Sequence, residues 1–117
     1  MKVLLEYLSD ILERIDFIEI IYGKSKQHFE EDRNAQAAVE RHLEVIGEII
    51  KRLPLDIKND YAEIPWRRIT GLRDKLAHHY DEIDLEILWS TIGDDLPHLK
   101  TVIQQMLTLQ SQDDSPD

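Results

Sequence analysis

Within eight consecutive residues, Arg73-Asp74-Lys75-Leu76-Ala77-His78-His79-Tyr80, the chain carries a guanidinium, an imidazole and a phenol. Arg73 supplies a permanent charge whose planar donors suit a phosphate, His78 can gain or lose a proton near neutral pH, and Tyr80 offers an exposable hydroxyl. The chemistry that suits these groups is metal-free cleavage of RNA. His78 can take the proton of a ribose 2′-hydroxyl or protonate the leaving oxygen, while Arg73 stabilises the charge that grows on the phosphoryl oxygens. Such a reaction leaves a 2′,3′-cyclic phosphate and spares DNA, which lacks the nucleophile. Lys75 and Tyr80 are candidate substrate or phosphate contacts, and Tyr80 could also stack on a base or accept a modifying group. On a helix turning about 100° per residue, Arg73 and Tyr80 fall within roughly 20° of one stripe, whereas His78 lies about 140° from Arg73. Either the helix loosens near Ala77, or a second copy of the chain completes the site across a two-fold axis. The same spacing also has a purely structural reading: an Arg paired with carboxylates, a His favoured by a helix C-terminus, a Tyr bonded to backbone.

The elements that must carry this stretch read as helices. From Val3 to about Tyr22, the apolar residues Leu4, Leu8, Ile11, Leu12, Ile15 and Ile18 recur at three- and four-residue steps, and Gly23 is a plausible stop. Lys24 to Glu31 reads as a connection or a short helical turn. Asp32 can cap a second long helix through Ala35, Val39, Leu43, Ile46 and Ile50, ended by Pro54. Gly47 inside it costs about 1 kcal/mol relative to Ala, which a close approach by another helix would explain. Leu55 to Ile64 is less regular. Pro65 then opens a third helix with Trp66, Ile69, Leu72 and Leu76, and this helix bears the reactive stretch. The pattern breaks near Asp81. Asp84 can cap a fourth helix, Gly93-Asp94-Asp95 marks a break, and a last helix runs through Leu99, Val102, Ile103 and Met106. The fold expected is all-α, an up-and-down bundle of about five helices, as one domain over residues 1–110 with a polar, disordered tail at 111–117.

Composition narrows the function. The chain has 117 residues, no cysteine and a net charge of −10. It therefore has no thiol nucleophile and no thiolate metal site, and its charge argues against coating nucleic acid non-specifically. Any RNA contact must be local, and between Pro65 and Tyr80 the cations Arg67, Arg68, Arg73 and Lys75 face only Asp74 along the sequence. No apolar run approaches a membrane span, and the N-terminus lacks the apolar core of a secretion signal, so the expected location is the cytoplasm, with no membrane partner. His79 reads as solvent-facing, and His28, His42 and His98 show no metal-ligand spacing; no metal and no cofactor is expected. Trp66 and Trp89 sit at core spacing.

The pattern extends beyond the reactive stretch. Ile64-Pro65-Trp66-Arg67-Arg68-Ile69 followed by Gly71-Leu72-Arg73-Asp74-Lys75-Leu76-Ala77-His78-His79-Tyr80 resembles the signature block of HepT-like proteins of the HEPN superfamily. Ile83-Asp84, Leu88-Trp89-Ser90-Thr91-Ile92 and Asp95-Leu96-Pro97-Leu99 are similar to the stretch that follows it, and Ala38-Val39 through Val45-Ile46-Gly47-Glu48 to the family's second helix. The resemblance implies a helical HEPN domain, commonly a homodimer with the motif at its interface. It implies a metal-independent ribonuclease, with transfer RNA as one substrate class. It implies the toxin of a type VII-like toxin–antitoxin pair whose partner is a minimal nucleotidyltransferase. By position, Arg73 and His78 would be catalytic and Tyr80 the residue that the antitoxin adenylylates. The reading from another class is a non-catalytic module that docks a nucleotidyltransferase or presents a nucleotide-binding pocket.

Overall fold

The computed structural model describes residues 2–23, 25–78 and 84–113, and all its regular structure is helical. In chain order the helices are α1 (Lys2–Tyr22), α2 (Lys26–Glu31), α3 (Arg33–Arg52), α4 (Leu55–Asp60), α5 (Trp66–His78), α6 (Leu85–Ser90) and α7 (Leu96–Asp113). A π-helical turn, Thr91–Asp95, joins α6 to α7. The all-α fold expected from periodicity is present, and four long helices account for most of it.

Their order in space follows from which face of each is apolar. α1 packs on α3 and on α7, and α3 packs on α5, so α1 and α3 form the middle of the bundle. Leu8, Ile11, Ile15 and Ile18 line the inner face of α1 and are fully buried. They meet Val39, Leu43, Ile46 and Ile50 of α3 and Leu99, Val102, Ile103 and Met106 of α7, which form one continuous core. Ile69, Leu72 and Leu76 give α5 its inward stripe. Burial of one apolar stripe per helix leaves mostly polar outer faces on α3 and α5, as amphipathic packing requires, whereas α1 also exposes Val3, Phe17 and Ile20.

Caps and breaks fall largely where the residue types place them. The Asp32 carboxylate accepts from Ala35 N at 3.0 Å and starts α3, and the Asp84 carboxylate accepts from Glu86 N at 2.8 Å and starts α6. Pro65 precedes α5, its carbonyl accepting from Arg68 N and Ile69 N. Two segments without strong periodicity form the short helices α2 and α4. Phe29 buries α2 against Trp89, with ring centroids 5.4 Å apart, and Trp66 Nε1 donates to the Lys58 and Tyr61 carbonyls to tie α4 to α5. The break expected at Gly93-Asp94-Asp95 is a π turn with no gap in helical structure, so the chain passes directly into α7. There Gly93 leaves room for Tyr22, since a Cβ would stand 2.8 Å from the Tyr22 hydroxyl. α7 continues to Asp113, and residues 114–117 lie outside the described residues. Among the described residues no helix is long and apolar enough to cross a membrane.

Candidate functional site

α5 is helical without interruption through His78, so Ala77 is not a point where the helix loosens. Arg73 and His78 therefore project from different sides of it, about 140° apart. Arg73 lies on the side that meets α3. His78, the last residue of α5, is exposed, and it shares an outward stripe with Arg67, Gly71 and Lys75, all exposed as well. His79 and Tyr80 lie outside the described residues, and with them the expected modification site.

Arg73 is placed by Gly47. A Cβ at position 47 would stand 2.7 Å from Arg73 Cγ, closer than side chains approach, so only glycine lets the stem of Arg73 cross α3 there. The crossing sets the guanidinium beside the next residue of α3: Arg73 Nη2 lies 2.6 Å from Glu48 Oε2. Nη1 donates to Asp74 Oδ1 at 3.2 Å. Asp74 in turn receives Lys51 Nζ at 2.5 Å. That hydrogen bond above all, with Arg73 beside it, holds the Asp74 carboxyl below the usual carboxylate range, against the opposing effect of desolvation. Arg52 stands 3.6 Å from the other Glu48 oxygen. Three cations (Lys51, Arg52, Arg73) thus share two carboxylates (Glu48, Asp74), leaving a local net charge of +1 in a chain of −10. The side chain of Arg73 is only 20% exposed, and its Nε is buried without a hydrogen-bond partner among the described residues. The outer edge of this network opens on a hollow of about 260 Å3 whose walls include Tyr7 and Asp10 of α1 and Arg41 and Glu44 of α3.

On the opposite side of α5, a cleft of about 800 Å3 runs between α5 and the α6–π-turn segment. Gly71, Leu72 and Lys75 form one wall, and Ile87, Ser90 and Asp94 stand on the other. Arg68 closes its end by a two-pronged pair with Asp95, Nε donating to Oδ2 at 3.0 Å and Nη2 to Oδ1. Asp95 is 5% exposed, so this carboxylate is buried and compensated by Arg68. Lys75 is exposed at the cleft wall.

The structure therefore redraws the basic segment between Pro65 and Tyr80. Along the sequence its cations face only Asp74; in space Asp95 takes Arg68 and Glu48 takes Arg73. Arg67 and Lys75 are left as the segment's exposed cations, unpaired among the described residues. Glu48, Lys51 and Asp95 are the charged neighbours of these residues that sequence reasoning missed. The signal for Glu48 was faint but present: a glycine in mid-helix marks a close crossing, and an acidic residue follows it. Of the other histidines, His28 and His98 are exposed. His42 is half-buried, stacked on Phe17 with ring centroids 5.3 Å apart and 3.2 Å from Arg14 Nη1. Trp66 and Trp89 are partly buried against the core.

Chemically, the arrangement offers an ordered guanidinium and an exposed imidazole on one helix. Comparison with known proteins bears on what they do. A family profile described as "Ribonuclease HepT-like" matches residues 11–106. The chain is 41% identical over 102 residues to the "Probable ribonuclease HepT" of Thermococcus cleftensis, covering 86% of this chain and 93% of that protein. It is 38% identical over 111 residues to a Methanocaldococcus jannaschii protein named "Putative RNase", covering 93% and 92% of the two chains. A protein of Caldanaerobacter subterraneus subsp. tengcongensis bearing the same description is 37% identical over 108 residues, covering 92% and 96%. No solved structure matches the chain.

Proposed function

The chain belongs to the HepT-like ribonuclease family, and from that premise we propose that it is a metal-independent endoribonuclease, the toxin half of a toxin–antitoxin pair. Its substrate is cytoplasmic RNA, foremost transfer RNA, and its antitoxin is a minimal nucleotidyltransferase that silences it by adenylylating Tyr80. The observation that carries this reading is the pairing, on one helix, of an ordered guanidinium at Arg73 with an exposed imidazole at His78.

His78 takes the proton from the ribose 2′-hydroxyl, the 2′-oxygen bonds to phosphorus, and the bond to the 5′-oxygen breaks. The leaving oxygen is protonated, which gives a 2′,3′-cyclic phosphate and a 5′-hydroxyl. Arg73 binds the phosphoryl oxygens as their charge grows. Because Arg73 and His78 project from different sides of α5, a homodimer that sets two copies of the helix across a two-fold axis would supply both groups to one phosphate and a second imidazole for the second proton transfer. Adenylylation would add phosphate charge and a bulky base to the Tyr80 phenol, repelling RNA by charge and size.

The test is incubation of the pure protein with total RNA in EDTA, followed by mapping of the ends. Cyclic-phosphate ends that vanish with folded His78→Ala support the reading; equal cleavage by that variant sinks the assignment of His78. A mass gain on Tyr80 after mixing with the partner and ATP tests the switch. One observation favours a second reading, a non-catalytic module that docks the nucleotidyltransferase: the Arg73 guanidinium is already held by two carboxylates. That reading predicts a stable complex with the partner and no RNA turnover.

A further inference from the structure

Arg73 is asked to bind phosphoryl oxygens, yet both of its terminal nitrogens already face carboxylates. Nη2 is on Glu48 at 2.6 Å and Nη1 on Asp74 at 3.2 Å, while the buried Nε has no acceptor among the described residues. A guanidinium recognises an oxyanion best through two parallel N–H bonds from one edge. Here the carboxylates take one nitrogen each, and the third donor is left over. That is a side chain held in readiness, with its charge spent on groups that are not substrate.

The two carboxylates are not equivalent. Asp74 is adjacent to Arg73 on α5 and is shared with Lys51 at 2.5 Å, so its charge is answered from a second side. Glu48 comes from α3 and makes the shorter contact with Arg73, with Arg52 farther off at 3.6 Å. Its position is fixed by the Gly47 crossing, which brings the α3 backbone against the Arg73 stem. Glu48 is 39% exposed and borders the hollow beside Arg73, so it can swing into solvent when another anion arrives.

We propose that Glu48 is a positioning residue that occupies Arg73 in the resting enzyme and competes with the RNA phosphate for it. The proposal rests on the ribonuclease reading of Arg73. Its carboxylate orients the guanidinium and lowers its effective charge until a phosphate displaces it. Such competition weakens RNA binding and keeps the arginine from capturing stray anions.

The test is the affinity for a fluorescein-labelled, fully 2′-O-methylated single-stranded RNA, which binds without being cut, measured across a series of NaCl concentrations. Glu48→Gln keeps an oxygen for Arg73 but removes the charge. It is expected to bind about 3- to 10-fold more tightly at low salt, with the slope of log affinity against log salt steeper by about 0.7, as for one additional phosphate neutralised. On unmodified RNA, Glu48→Ala should lose kcat relative to Glu48→Gln, because it no longer orients the guanidinium; the amide restores that part alone. Equal affinity and slope in wild type and Glu48→Gln overturn the competition, as does weaker binding by Glu48→Gln. The affinity measurement does not depend on turnover, so its failure is separable from failure of the ribonuclease reading, which the His78→Ala end mapping decides.

Discussion

His42 shows how one partly buried group couples this fold to pH. Burial against Phe17 comes first and the Arg14 charge second, and both disfavour the imidazolium, so its pKa is lowered from the usual value of 6.5. The unfolded chain therefore takes up a proton at His42 before the folded one does. The stability that neutral His42 contributes is fully present above about pH 6.5 and is lost as the pH falls through its lower folded pKa. We expect the thermal midpoint to fall between pH 7.5 and 5.5, and to fall less in His42→Gln; equal acid sensitivity of the two proteins would remove His42 as the cause. At the same scale, the sequence named Arg73 and His78 because their residue types are chemical. It could not name Glu48 or Lys51, which matter because they meet Arg73 and Asp74, respectively, across a helix crossing.

At the scale of the elements, Gly47 is the hinge of the site. Alanine there would gain about 1 kcal/mol in helix propensity, but its Cβ would meet the Arg73 Cγ and Cβ, and Cβ is fixed to the α5 backbone and cannot rotate away. Overpacking of this kind typically costs about 1–3 kcal/mol. Gly47→Ala is thus expected to lower stability in urea unfolding despite its better propensity, and to displace Arg73 from Glu48. A more stable variant would mean that α3 and α5 can separate freely. The long helices were legible because their apolar stripes repeat every three to four residues, and α3 and α6 start at the aspartates chosen as caps. The short α2 falls in the segment read as a connection or a short helical turn, but α4 was not legible, because six residues carry too little periodicity. They are fixed instead by tertiary contacts of Phe29 and Trp66. The π turn was read as a break because glycine and two aspartates suggest one. The segment instead stays helical, with Asp95 buried and paired to Arg68.

At the scale of the whole molecule, a bundle 53 × 26 × 22 Å carrying ten net negative charges must bind RNA over a small area. With Arg68 and Arg73 paired to Asp95 and Glu48, the exposed cations of α5 that have no ion-pair partner among the described residues are Arg67 and Lys75. We therefore expect a shallow salt dependence, with a slope no steeper than about −3 for single-stranded RNA; a slope near −7 would demand a cationic surface that α5 does not supply. The sequence by itself determined the all-α class, the long helices, the helix that bears Arg73 and His78, and the family. Each of these follows from local periodicity, capping chemistry and motif spacing, all of which are properties of neighbours along the chain. Only the tertiary structure decided the electrostatic state of the site. Whether a cation is available depends on carboxylates brought from 25 residues away, as Glu48 is to Arg73, or 27, as Asp95 is to Arg68; a mid-helix glycine can mark a close crossing, as Gly47 does, but no local pattern names the residue of the facing helix that meets it.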